Sequence, residues 1–235
     1  MGKRRRFVIG DIHGCYQTFR KLTEEILELK KEDTLFLLGD YIDRGPFSKP
    51  VLDHILHMRK NSWDVRHLMG NHEHMMLRSL DDPDFFYLWL RNGCAETLTG
   101  FGVDPGETDD PDSARRIPKR YIDFCRELPL FEETEDFLFV HAGMPLHGVN
   151  PGDDPDALLW SRSEEINGKI LGKRTLINGH TPVPTESVRK RLGDPRARVI
   201  NLDTGCVYRH FPSLGYLSAL DLDSMELFSL KNCDF

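Results

Sequence analysis

Short apolar runs alternate with amphipathic stretches through the first third of the chain, the pattern of strands joined by crossover helices. Arg6 to Gly10 reads as a strand, Tyr16 to Leu29 as a helix with Phe19, Leu22, Ile26 and Leu29 on one face, and Thr34 to Leu38 as a second strand. A helix near Pro50 to Met58, a strand over Val65 to Met69 and a helix beginning at His74 to Leu80 complete a βαβαβα series, which predicts at least three parallel strands. The pattern changes from Asp81 to about Glu127. An aromatic run, Phe85 to Leu90, is followed by an acidic Pro/Gly/Asp stretch, Asp104 to Asp112, and a helix near Tyr121 to Leu128. This segment is expected to be a helical insertion whose mobile loop overhangs the site. Five later strands are expected over Phe137 to His141, Thr175 to Asn178, Val199 to Leu202, Gly215 to Leu222 and Met225 to Leu230. Short turns between neighbours predict a second, largely antiparallel sheet packed against the first.

A chain of 235 residues with 39% hydrophobic and 29% charged content can bury a substantial core, and one domain spanning 1–235 is the expectation. Its net charge of −7 argues against a nucleic-acid partner, whose backbone is bound by clustered cations. The basic run Lys3 to Arg6 leads straight into Phe7-Val8-Ile9 with no apolar signal stretch behind it, so a solvated lead-in is expected. No segment approaches the roughly 20 apolar residues needed to span a bilayer. Five scattered cysteines form neither a Cys-x-x-Cys pair nor a disulfide framework, which fits a reducing, cytoplasmic setting.

The chemistry is concentrated where strands end. The first three strands run into Gly10-Asp11-Ile12-His13-Gly14, Gly39-Asp40-Tyr41-Ile42-Asp43-Arg44-Gly45 and Gly70-Asn71-His72-Glu73. His141 follows Phe137 to Val140, and His180 follows Leu176 to Gly179. Carboxyl ends of parallel strands share one sheet edge, so these clusters are expected to converge on one site. Carboxylate, imidazole and amide oxygen donors without cysteine suit Mn²⁺, Fe or Zn²⁺ and disfavour a thiolate site. By contrast, His54, His57, His67, His74, His147 and His210 read as surface or packing residues. Cys15 reads as a helix-start residue, and Phe85, Phe86, Tyr87 and Trp89 as core.

With Trp89-Leu90-Arg91-Asn92-Gly93, Trp160-Ser161-Arg162, Gly179-His180-Thr181-Pro182 and Leu202-Asp203-Thr204-Gly205, the series resembles the phosphoprotein phosphatase family of binuclear metallophosphoesterases, in its small bacterial and phage form. The resemblance spans nearly the whole chain. It implies an α/β calcineurin-like fold of two packed mixed β-sheets flanked by helices, with 81–127 as the insertion. It further implies two divalent ions, Mn²⁺ before Fe or Zn²⁺, with Asp11 and His13 on one, Asn71, His141 and His180 on the other, and Asp40 bridging. A water activated by both ions would attack phosphorus in line. Arg44 and Arg162 would clamp the phosphoryl oxygens, since planar guanidinium groups grip phosphate bidentately. His72 would be the general acid, held by Asp43.

The implied substrate is a phosphorylated Ser or Thr side chain, Tyr included, or a small phosphoester, in a monomer without nucleic-acid or membrane partners. The alternative is a symmetrical dinucleoside tetraphosphatase, which shares the first motif. Those enzymes usually lack the acid at Asp43 and carry Asp in place of Glu73, so both residues favour the protein phosphatase. A non-catalytic binding module would show a missing ligand or a missing His72, and every such position is filled.

Overall fold

The computed structural model describes residues 4–235, so Lys3 of the basic lead-in lies outside the described residues. Strands β1 (Arg6–Ile9), β2 (Thr34–Leu37) and β3 (Asp64–His67) pair in parallel, as the alternating pattern predicts. They are joined by α1 (Tyr16–Lys21) and α2 (Ser48–Lys60), and α3 (Asn71–Ser79) follows β3. Next come α4 (Pro83–Arg91), α5 (Cys94–Gly100) and α6 (Lys119–Arg126). The second half holds β4 (Phe131–Glu133), β5 (Phe137–Val140), α7 (Pro155–Trp160), α8 (Gly168–Leu171), β6 (Thr175–Asn178), α9 (Thr185–Leu192), β7 (Val199–Asn201), β8 (Tyr216–Asp221) and β9 (Leu227–Lys231).

Two mixed sheets result, with strand orders β3-β2-β1-β8-β9 and β4-β5-β6-β7. The largely antiparallel second sheet expected from the sequence is therefore corrected. β8 and β9 do form an antiparallel hairpin, but β8 pairs with β1 and extends the first sheet. The second sheet is parallel except at β4, because helices intervene between β5 and β6 and between β6 and β7 and return the chain in the same direction. Between the sheets lie Val8, Phe36, Leu38, Phe139, Ile177, Ile200 and Leu220. Phe36 stacks on Phe139 with ring centroids 4.2 Å apart.

The first helix also departs from expectation. After α1 the chain continues as a π-turn, Leu22–Ile26, in which Leu27 N–H donates to Leu22 O at 2.9 Å. The extra residue rotates the following positions, so Leu27 enters the core while Ile26 is exposed. The 81–127 segment does not simply overhang the site: Phe86, Trp89, Cys94, Leu98, Tyr121 and Phe124 belong to the main core with Phe19, Tyr41 and Met76. Within its aromatic run only Tyr87 is strongly exposed.

Candidate metal centre

The carboxyl ends of β1, β2, β5 and β6 and the first turn of α3 converge around Asp40. The loop after β2 takes a left-handed backbone at Asp40 (φ 52°), Asp43 (φ 73°) and Arg44 (φ 68°), and His13 and His180 do the same at φ 46° and 71°. Such conformations are disfavoured for residues with a Cβ and persist where surrounding contacts over-determine them. At Asp40 the constraint is Glu73. Its buried carboxylate accepts the N–H groups of Asp40 (2.9 Å), Tyr41 (2.8 Å), Ile42 (3.3 Å) and Gly70 (3.0 Å), tying the second and third motifs together. Close packing requires glycine at Gly70, where a Cβ would stand 2.2 Å from Asp40 Oδ1, and at Gly179, where it would stand 2.1 Å from Asp11 Oδ1.

Asp40 Oδ1 accepts the N–H of His72 at 3.0 Å, which turns Oδ2 towards the cluster. Oδ2 lies 3.5 Å from His13 Nε2, 3.4 Å from His141 Nε2 and 3.9 Å from His72 Nε2. His13 Nδ1 is 2.9 Å from Ile42 O, and His141 Nδ1 is 2.9 Å from Leu38 O. A carbonyl can only accept, so both rings carry a proton on Nδ1 and turn Nε2 inward. Asn71 Oδ1 lies 3.0 Å from His141 Nε2 and 2.9 Å from His180 Nδ1, while Asp11 Oδ2 accepts His180 N–H at 3.0 Å. Ligand-type atoms of Asp40, His141 and His180 fall within 4.8 Å of one another, as do those of His13, Asp40 and His72.

Charge points the same way. Asp11, Asp40 and Asp203 are all buried. Burial, then the neighbouring Asp203, raises Asp11 well above the usual carboxylate range. Burial, with Asp40 adding to it, raises Asp203 to about 6. Burial also opposes the charge on Asp40, but His141 and His72 outweigh it and hold that carboxyl low. His13 is pushed well down by burial and by Arg44, and His180 falls to about 3 through burial and His141, so both are neutral donors. His141 resists its burial and rises to about 10 against Asp40, so a cation binding there releases a proton. Asp11 Oδ1 is buried with no hydrogen-bond partner among the described residues. Converging carboxylates, inward-facing imidazole nitrogens and an unpartnered buried oxygen fit divalent cations.

The six expected ligands are thus brought together. His72 sits beside them, fully buried, with Nδ1 2.5 Å from Asp43 Oδ2 and Nε2 unpartnered among the described residues. Arg44 Nη1 donates to His13 Nε2 at 2.7 Å, and its guanidinium lies over the Tyr208 ring at 5.7 Å. Arg162 stands apart as an exposed residue just beyond α7, near enough for its charge to lower His180. Sequence reasoning assigned no role to Asp203, although Leu202-Asp203-Thr204-Gly205 follows a strand as Asp11 and Asp40 do. It also missed Tyr208, the binding of four amides by Glu73, and two donors to Asp43: Trp89 Nε1 to Oδ2 and Thr97 Oγ1 to Oδ1, each 2.6 Å. Nothing in the helical pattern around Trp89 and Thr97 marks either as polar anchors. The remaining histidines pack or face solvent: His54 against Phe19, His67 against Phe124 and His74 against Phe85, with His57, His147 and His210 exposed. Cys15 caps α1 from a buried position. Among the described residues no helix is long and apolar enough to cross a membrane.

Comparison with known proteins agrees with this geometry. A serine/threonine-protein phosphatase 1 from Salmonella typhimurium is 31% identical over 210 residues, covering 86% of this chain and 87% of the relative. An asymmetrical bis(5'-nucleosyl)-tetraphosphatase PrpE from Bacillus velezensis is 26% identical over 233 residues, covering 86% and 84%. The crystal structure of a cold-active protein-tyrosine phosphatase from a Shewanella species superposes with a TM-score of 0.58 at 18% identity, covering 98% of this chain and 81% of that one. Residues 5–210 match the family described as calcineurin-like phosphoesterase, so the chain belongs to that family of metal-dependent phosphoester hydrolases.

Proposed function

We propose that this protein is a phosphomonoester hydrolase acting on phosphorylated Ser or Thr side chains, with phosphotyrosine as a further substrate. In this reading Asp11 and His13 would hold one divalent ion, Asn71, His141 and His180 would hold the other, and Asp40 would contribute to both. Mn²⁺ is the preferred metal, with Fe and Zn²⁺ compatible with the same donors. When bound, such ions would supply a water of lowered pKa and neutralise phosphate charge. The chain's own residues do the rest. Arg44 and Arg162 grip the equatorial oxygens and hold the ester for in-line displacement. His72 donates its Nε2 proton to the departing serine or threonine oxygen, and Asp43 keeps the ring oriented through Nδ1.

The observation that carries the reading is the His72–Asp43 pair. A buried imidazole with one nitrogen 2.5 Å from a buried carboxylate, and the other turned to the ligand cluster, is arranged to deliver a proton. Poor leaving groups such as alkoxides need that proton. The relative from Salmonella, named a serine/threonine phosphatase, supports the same substrate class.

A dinucleoside tetraphosphatase is the second reading, favoured by the Bacillus relative. Initial rates on a phosphoserine peptide, a phosphotyrosine peptide and diadenosine tetraphosphate, each with Mn²⁺ and with chelator, separate the two. Chelator-sensitive turnover led by phosphoserine is expected. Strong preference for the dinucleotide would overturn the protein-phosphatase assignment, and its products would tell symmetrical cleavage (ADP alone) from asymmetrical (ATP and AMP).

A further inference from the structure

We propose that Trp89 and Thr97, on α4 and α5, are positioning residues that act through Asp43 to aim the His72 ring at the leaving group. The 81–127 segment then serves the proton-transfer step as well as the core. This rests on the reading of His72 as general acid.

Asp43 is a fully buried carboxylate whose two oxygens are held from different sides. Oδ2 faces His72 Nδ1 at 2.5 Å and accepts the Trp89 indole N–H at 2.6 Å. Oδ1 accepts the Thr97 hydroxyl at 2.6 Å. The Asp43 amide lies 2.9 Å from Thr97 Oγ1 and 3.0 Å from Ser48 Oγ, and the two hydroxyls are 2.9 Å apart. The protons can be assigned without conflict. Thr97 has one hydroxyl hydrogen, directed to Oδ1, so its oxygen accepts from the amide and from Ser48.

A carboxylate bonded at one oxygen alone can swing about its Cβ–Cγ bond. Donors at both oxygens, arriving from two helices, stop that rotation and fix the direction in which Oδ2 meets the imidazole. The junction between those helices grips the neighbouring residue as well. Arg44 N–H donates to Gly93 O at 3.0 Å, and Gly93, at φ 96°, leaves no room for a Cβ, which would stand 2.9 Å from Arg44 Cγ. The α4–α5 unit therefore braces both Asp43 and Arg44 in their left-handed conformations.

An ordinary core indole and hydroxyl would matter for stability alone, so the test reads leaving-group dependence. In the full Mn²⁺-loaded chain, Trp89→Phe and Thr97→Val are each expected to lower kcat on a phosphoserine peptide about tenfold with KM little changed. The loss should be several-fold smaller on p-nitrophenyl phosphate, whose leaving group needs no proton. Thr97→Ser, which keeps the hydroxyl, should restore most of the rate. In an Asp43→Asn background Trp89→Phe should cost less than twofold more, because its effect passes through Asp43. Equal losses on both substrates, or full additivity with Asp43→Asn, would overturn the inference.

Should Trp89→Phe fail to fold, the Thr97 pair still decides on activity. The unsubstituted chelated protein gives a further readout: its Trp89 indole N–H resonance should be protected from exchange and should shift in Asp43→Asn, and a freely exchanging or unmoved resonance counts against the proposal. The two levels are separable. If His72→Asn itself loses equally on both esters, the general-acid reading falls while the indole coupling to Asp43 stands.

Discussion

Replacing Glu73 by Gln tests whether one buried carboxylate holds the second and third motifs together. Oε1 accepts from Tyr41 and Ile42, and Oε2 accepts from Asp40 and Gly70. Glutamine keeps the shape but has one acceptor oxygen, so in either amide orientation two backbone N–H groups face an NH₂ instead of an oxygen. A buried donor left unsatisfied costs about 1–3 kcal/mol, so the pair is expected to cost about 4 kcal/mol. An unfolding entropy of roughly 2.1 cal/mol/K per residue, taken over 235 residues, turns that into a fall in Tm of about 8 °C. The assay is thermal unfolding of the chelated protein followed by circular dichroism at pH 8. That pH lies above the value of about 7 to which burial and Asp40 raise Glu73, so the parent carboxylate is charged. Calorimetric titration with Mn²⁺ should also show at least tenfold weaker binding, because one orientation releases the Asp40 amide and the other the Tyr41 amide beside it, and either loosens the backbone that carries the Asp40 carboxylate. Glu73→Gln melting within about 2 °C of the parent, with unchanged Mn²⁺ affinity, would refute the bracing role.

Two further outcomes follow from other contacts. Gly179→Ala should displace Asp11, whose Oδ1 a Cβ would approach to 2.1 Å, and reduce Mn²⁺ bound per chain in equilibrium dialysis; full occupancy in the variant would contradict the ligand assignment. Asp33, bonded through Oδ2 to Arg5 at 2.6 Å, has its carboxyl lowered by Arg5 and nearby backbone amides despite opposition from burial. A carboxyl depressed in the folded state stabilises above its unfolded pKa, near 3.9, and that stabilisation is lost as pH falls through the folded value. Urea midpoints measured from pH 6 down to pH 3 should therefore drop more steeply for the parent than for Asp33→Asn, and parallel curves would refute it.

The candidate ligand cluster was legible because its residues break a strong pattern in one place. Asp11, Asp40, His141 and His180 are polar groups at the ends of apolar strands, where burial is tolerated only with partners, and a shared sheet edge then brings them together without any knowledge of loop conformation. The placement of β8 was not legible by the same logic. The largely apolar run Tyr216–Asp221, buried through its four central residues, requires a partner but does not say which free edge supplies it, and the edge of β1 competes with the second sheet on equal terms. The turn after α1 was hidden for a different reason: Ile26 and Leu27 are both apolar, so a one-residue rotation leaves the hydrophobic pattern intact while changing which side chain is buried. Trp89 and Thr97 are the most instructive omission. On a helix a buried tryptophan satisfies the apolar pattern through its ring and a threonine through its methyl, so the N–H and O–H that reach Asp43 leave no trace in periodicity. Donors of this kind become visible only when a buried acceptor is followed outward to whatever satisfies it, and here that path leads from the ligand cluster through His72 and Asp43 into the helical segment.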